Sequence, residues 1–193
     1  HFEWDFGRGD DLVEYAGAYL SGTIDRVDVD AHGQAVVIDY KHKSPATFRD
    51  EYAAFSEECP ASGDALELPR RVQSLIYGQV VRRRHSDLKV VGTVYLATRG
   101  DHAIAGAVRE DACERVFGPH LPGAKALARM AVPEGATFRA GEARGMDGLL
   151  DATEELIGAK VQELLEGRIE ARPRDRYACE YCPVMNCERR LSS

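Results

Sequence analysis

The chain has 193 residues, is 44% hydrophobic and carries a net charge of −7, which is enough apolar material for one sizeable core. No apolar run approaches the roughly 18 residues of a membrane span and no basic-then-apolar leader opens the chain, so the expectation is a soluble cytoplasmic protein without membrane contact. The acidic balance excludes a nucleic-acid coat that binds through a uniformly basic surface.

"HFEWDFG" begins on strand-like aromatics without a Met, and the expectation is that this is a piece of something longer. Residues 18–30 alternate as a strand, "DAHGQ" turns with Gly33 free for positive φ, and residues 34–41 form a second strand. Residues 44–66 read as an excursion with one short helix. From Leu68, apolar residues at Val72, Leu75, Ile76 and Val80 predict an amphipathic helix of about 15 residues. "KVVGTVYLATR" and "AIAGAV" are further strands, and 110–118 and 122–131 short helices broken at Pro119 and Pro122. Leu149, Leu150, Leu156, Ile157, Val161, Leu164 and Leu165 form a helical stripe with Asp147 at its start and Gly167 at its end. One globular core over residues 1–178 and a cysteine-bearing segment over 179–193 are the expected units.

Charge is unevenly spread: residues 1–64 hold 14 acidic against 5 basic residues, a balance of −9, and residues 65–193 hold 18 against 20, a balance of +2. The acidic part contains the hairpin "GTIDRVDVDAHGQAVVIDYKHK". Alternation puts Asp39 and Lys41 on one face about 7 Å apart. If Ala31, His32 and Gly33 form a three-residue loop, Asp30 pairs with Gln34, and the same register sets Asp25 opposite Asp39. Carboxylates opposed at about 5 Å repel unless a cation lies between them. Hard oxygen donors with an incomplete shell favour Mg²⁺ or Mn²⁺. On spacing alone, exposed aspartates in ordinary surface ion pairs explain the pattern equally well.

"GTIDRVD", "VVIDYKHK" and "LPRRVQSLIYGQ" together resemble the nuclease domain of the PD-(D/E)xK superfamily in its AddB and RecB form, over residues 1–97 and again at the chain's end. The resemblance implies an α/β, restriction-endonuclease-like core, a central mixed sheet flanked by helices. It implies Asp25, Asp39 and the Tyr40 carbonyl as metal ligands, Lys41 as the catalytic lysine, and Gln73 and Tyr77 as the site residues of a helix motif. The implied activity is a Mg²⁺-dependent DNA exonuclease, attached to a helicase and acting on a threaded single strand in double-strand break repair. Arg70, Arg71 and Arg82 to Arg84 are candidate phosphate contacts, with a solvated helix face as the blander reading. His32 and His42 are read as incidental.

"CEYCPVMNC" places Cys179, Cys182 and Cys187 near the C-terminus, and five cysteines in all do not form a secreted disulfide framework. By resemblance these three are ligands of a [4Fe-4S] cluster whose fourth cysteine lies upstream. Cys59 and Cys113 are read as small buried hydrophobes. The family's upstream histidine helix and first cluster cysteine are missing, so the expectation is a C-terminal piece with little activity of its own. The alternatives are a non-catalytic DNA- or partner-binding domain and a stand-alone CRISPR adaptation nuclease.

Overall fold

In the computed structural model, which describes residues 2–9, 11–45, 47–55, 66–139, 141–170, 173, 177–180, 182–184 and 187, the alternating start of the chain forms five strands. They are β1 (Phe2–Phe6), β2 (Val13–Tyr15), β3 (Ala18–Leu20), β4 (Gly22–Val29) and β5 (Gln34–Lys41). The single strand expected over 18–30 is broken at Ser21: β3 pairs with β2 as a small separate hairpin, while β4 joins the main sheet. Backbone crowding accompanies the break. A Cβ on Gly7 (φ 70°) would lie 2.0 Å from the Leu20 carbonyl oxygen, so β1 ends hard against that point.

The β4–β5 turn follows the three-residue scheme. Asp30 N donates to Gln34 O at 3.0 Å and Gly33, at φ 72°, donates to Asp30 O at 3.1 Å. The Asp30 carboxylate also accepts from His32 N and Gln34 N, which fixes the register locally.

Next come α1 (Phe48–Tyr52), α2 (Gln73–Arg84), β6 (Lys89–Ala97), β7 (Ile104–Arg109), α3 (Cys113–Phe117), α4 (Ala124–Leu127), β8 (Ala131–Val132), α5 (Gly145–Leu165) and α6 (Tyr177–Glu180). The α2 helix starts five residues later than Leu68, which Pro69 keeps out of helical geometry. The α5 helix starts two residues before Asp147, which sits in its first turn, where the helix dipole favours a carboxylate. No helix among the described residues is long and apolar enough to cross a membrane.

The main sheet has the order β1-β4-β5-β6-β7-β8. It is mixed: β5–β6 and β7–β8 are parallel and the other pairs antiparallel. A parallel β5–β6 pair needs a crossover, and α1 and α2 supply it. This carries α2 over one face, where Leu75, Val80 and Val81 bury against Val27, Ala35 and Val37 together with Leu149 and Leu150 of α5. On the other face Val36, Ile38, Val91 and Val94 pack with Cys113, Phe117 and Met130.

The last turn of α2 is tied down by arginines. Arg82 donates to Asp147 O and ion-pairs with Asp151 at 2.9 Å, Arg83 reaches Glu14 O and Glu154, and Arg84 reaches Asp11. These three were candidate phosphate contacts; the structure commits them to holding α2 against α5 and the loops around the small hairpin. Mid-helix, Gly78 lets α2 approach β6 closely, since a Cβ there would meet Thr93 Cγ2 at 2.4 Å and Leu150 Cδ2 at 3.3 Å. Gly78→Ala gains about 1 kcal/mol of helix propensity but overpacks this contact at a cost of about 1–3 kcal/mol. A lowered melting temperature is the expected result; a raised one would show that the strand yields to the added methyl.

Candidate active site

The β4–β5 ladder runs from Val29↔Ala35 to Arg26↔Ile38 and stops there. Beyond that step the register would set Asp25 abreast of Asp39 and Ile24 abreast of Tyr40. Instead β4 loses its alternation: Ile24 and Val27, three residues apart, are both buried in the core under α2, where strict alternation would send them to opposite faces. On the β1 side the position abreast of Asp25 is Glu3, whose backbone is left-handed at φ 50°. The Asp25 carboxylate fills the opened gap, with Oδ2 accepting from Tyr40 N at 2.8 Å, the amide that Ile24 O would take in a continued ladder. The N–H and C=O of a strand residue point to the same edge, so the Tyr40 carbonyl also faces this gap. Behind it, on the opposite face, Arg26 Nη1 donates to Tyr40 Oη at 3.1 Å.

Asp39 shares a face with Val37 and is only 2% exposed. Burial pushes its carboxyl pKa up, the Lys41 ammonium pulls it down, and Asp25 pushes it up again; the outcome is a raised value. Lys41 Nζ ion-pairs with Asp39 Oδ2, an oxygen buried from solvent. Two carboxylates, one with such an oxygen, and a strand carbonyl beside them fit a hard divalent cation that keeps several waters. Among the described residues no set of three or more His, Cys, Asp or Glu side chains gathers, so carbonyl and water ligands would complete the shell.

From the other side, α2 reaches the same point. Gln73 Oε1 accepts from Lys41 Nζ at 2.8 Å, and Gln73 Nε2 donates to Tyr77 Oη at 2.7 Å. The i, i+4 spacing puts the amide and the phenol on one helix face. Tyr77 is also a core aromatic, with its ring edge-on to Phe6 at 5.8 Å. Lys41, Gln73 and Tyr77 line a cleft of about 520 Å³ with Phe6, Leu20, Arg70, Arg71 and Tyr95. Arg71 is engaged by Glu51 at 3.1 Å and lies over the Tyr52 ring.

Sequence reading missed Tyr95. Burial pushes its hydroxyl pKa up to about 12, with the hydrogen bonds to Ser74 and the charges of Asp39 and Tyr52 as lesser influences. It is the one aromatic residue of β6, a signal that was present in "GTVYLA". The two histidines lie outside the contact chain: His32 is in the hairpin turn and His42 is 3.5 Å from Thr98 Oγ1.

Among the described residues the cysteines do not form a site. Cys179, Cys182 and Cys187 are half-buried, and the described residues do not bring them into one ligand set. Residues 181, 185 and 186 between them lie outside the described residues, as does Cys59. Cys113 is buried in the core beneath the sheet, its thiol 3.5 Å from Arg109 O, and is a packed hydrophobe.

A broken strand pair with two carboxylates at the gap, a lysine beside them and a glutamine-bearing helix above, on a mixed six-stranded sheet with helices on both faces, defines an α/β protein of the restriction-endonuclease-like class. The chain belongs to the PD-(D/E)XK nuclease superfamily, whose sequence model matches residues 1–187. No curated protein and no solved structure gives a significant match.

A raised Asp39 pKa means that the folded protein holds this proton more firmly than the unfolded chain does. In metal-free protein, stability contributed by this group is therefore present at acidic pH and is lost as pH rises through and above the ordinary carboxylate range. Asp39→Asn removes that loss, so in EDTA at neutral pH it melts a few degrees above the parent protein, and the advantage shrinks on acidification. A variant that melts lower at every pH would show that the Lys41 ion pair outweighs burial.

Proposed function

We propose that the protein is a metal-dependent deoxyribonuclease, using Mg²⁺ or Mn²⁺ to hydrolyse DNA phosphodiester bonds. The observation that carries this reading is the unbroken run of contacts from Asp39 through Lys41 and Gln73 to Tyr77, with Asp25 docked on Tyr40 N alongside. A decayed site would have no need to keep a buried carboxylate with a raised pKa beside a lysine.

Asp25, Asp39 and the Tyr40 carbonyl would hold the metal, which when bound polarises the phosphate and lowers the pKa of a water. Lys41 offsets the negative charge that builds on the phosphoryl oxygens as water adds. Hydrolysis forms one P–O bond from that water and breaks the bond to the departing sugar oxygen, which takes up a proton. Gln73 keeps the ammonium aimed, and Tyr77 keeps the glutamine amide in one orientation. Arg70 and Arg71 line the cleft wall and in this reading contact the flanking phosphates, Arg71 giving up part of its engagement with Glu51 to do so.

The finer assignment is an exonuclease domain of the AddB and RecB type, fed a single strand by a helicase in double-strand break repair. Its support is the order and spacing of the Gly-x-Ile-Asp, Asp-Tyr-Lys and Gln-x-x-x-Tyr motifs. In this reading residues 1–178 are the nuclease core, and 179–193 carry Cys179, Cys182 and Cys187 to a [4Fe-4S] cluster completed by a cysteine upstream. Five cysteines, an odd number with three of them within nine residues, suit a reducing cytoplasmic setting.

The full-length natural protein is expected to degrade linear DNA with Mg²⁺ and to stop in EDTA. Asp39→Ala and Lys41→Ala each lower kcat by about 10³-fold or more, with DNA binding retained. Undiminished cleavage by Asp39→Ala would sink the proposal. Purified without oxygen, the same protein should show broad iron–sulfur absorbance; a colourless, iron-free sample removes the cluster and leaves the nuclease assignment standing.

A further inference from the structure

Gln73 can hold Lys41 only if the first turn of α2 stays at a fixed height above the strand ends. The helix has no side-chain cap of its own, since Val72 at the N-cap offers no oxygen. A helix start leaves four backbone N–H groups without intrahelical acceptors, and a Ser, Thr, Asp or Asn normally answers one of them. Here an acceptor comes from the sheet instead. Ser74 N, one residue past Gln73, donates to Tyr95 Oη at 3.0 Å in a buried setting.

Tyr95 is well placed to transmit position. The parallel β5–β6 register sets it directly beside Asp39, so both side chains point to the α2 face. Its ring centroid is 5.9 Å from Lys41 Nζ, and the Tyr52 ring backs it at 4.8 Å. One rigid side chain, fully buried, thus spans from the strand next to the carboxylate to the helix that carries the glutamine.

We infer that Tyr95 is a positioning residue whose hydroxyl serves as a tertiary N-cap for α2, setting the distance at which Gln73 meets Lys41. The catalytic consequence of this role rests on the nuclease reading; the capping itself does not. A phenylalanine at this position keeps the ring and its packing and removes only the acceptor, so the fold is retained. Ser74 N is then left buried without a partner, and the first turn of α2 gains freedom to rise off the sheet.

Tyr95→Phe, Gln73→Ala and the double variant of the natural protein are to be compared by amide hydrogen exchange and by Mg²⁺-dependent cleavage of single-stranded DNA. Tyr95→Phe should speed exchange at Ser74 by roughly tenfold, with Val80 and Val81 unchanged, because one hydrogen bond of ordinary strength is lost at one end of the helix. Its kcat should fall by roughly tenfold at unchanged KM for DNA, and the double variant should be no slower than Gln73→Ala alone, since both act through one contact. Unchanged Ser74 exchange, or losses that multiply in the double variant, would overturn the role. Faster exchange at Ser74 in a protein that cleaves nothing with Mg²⁺ would uphold the cap and overturn the nuclease reading, so the two failures are told apart.

Discussion

The early end of the β4–β5 ladder is the constraint on which the rest of the structure depends. A ladder continued past Arg26↔Ile38 would satisfy Tyr40 N with the Ile24 carbonyl and press two aspartates together with nothing between them. In the observed arrangement the Asp25 carboxylate itself replaces the missing carbonyl. That exchange keeps the partly buried amide paired, leaves the Tyr40 carbonyl facing the gap and gives Ile24 a place in the core under α2. The change of face in β4, the left-handed Glu3 beside it and the tilt of the Asp25 side chain are one event seen from three residues.

Cost and function meet at Asp39. A carboxylate this deeply buried, with a second one beside it, opposes folding unless Lys41 offsets it, and the raised pKa says that the offset is incomplete. The surrounding frame makes up the difference by ordinary means: aliphatic strands under α2 and α5, a second apolar cluster on the back face, and arginine ties at the far end of α2. The α2 helix therefore divides its labour along its length. Its first turn faces the cleft with Gln73 and Tyr77, its middle is pressed onto β6 at Gly78, and its last turn anchors it.

How much of this was legible in the sequence differs from element to element. The hairpin turn was, because Gly33 and the Asp30 side chain leave one good geometry, and the turn in turn dictates the register as far as Arg26↔Ile38; the Asp25–Asp39 pairing expected beyond it does not form. The motifs named Lys41, Gln73 and Tyr77, which line one cleft, and Asp39, which ion-pairs with Lys41. What was not legible depends on long-range packing. The break at Ser21 follows from Gly7 passing against Leu20, a contact between strands that periodicity does not encode. Arg82, Arg83 and Arg84 read as a solvent-facing or phosphate-binding run until α5 and the loops around β2–β3 supply their carboxylates and carbonyls. Tyr95 was passed over because a tyrosine in an apolar strand reads as core, and only the crossover reveals which helix amide its hydroxyl meets. The start of α2 was misplaced because apolar spacing continues back through Val72, while Pro69 and the missing cap side chain act on the backbone.

The arginine ties carry a consequence for how ionic strength acts on this molecule. Electrolyte weakens contacts between charged side chains and phosphates, and in many nucleic-acid enzymes the steepness of that loss counts the phosphates held. Here Arg83 and Arg84 are partly exposed, and their ion pairs with Glu154 and Asp11 sit within reach of the same screening. In a nuclease of the proposed kind, added salt would loosen both the grip on a polyanion and the far anchor of the helix that carries Gln73. The two effects share one variable and enter by different routes, one through association and one through alignment. The salt slope of turnover at saturating polymer then reports on the helix anchor, and the slope of binding reports on the cleft.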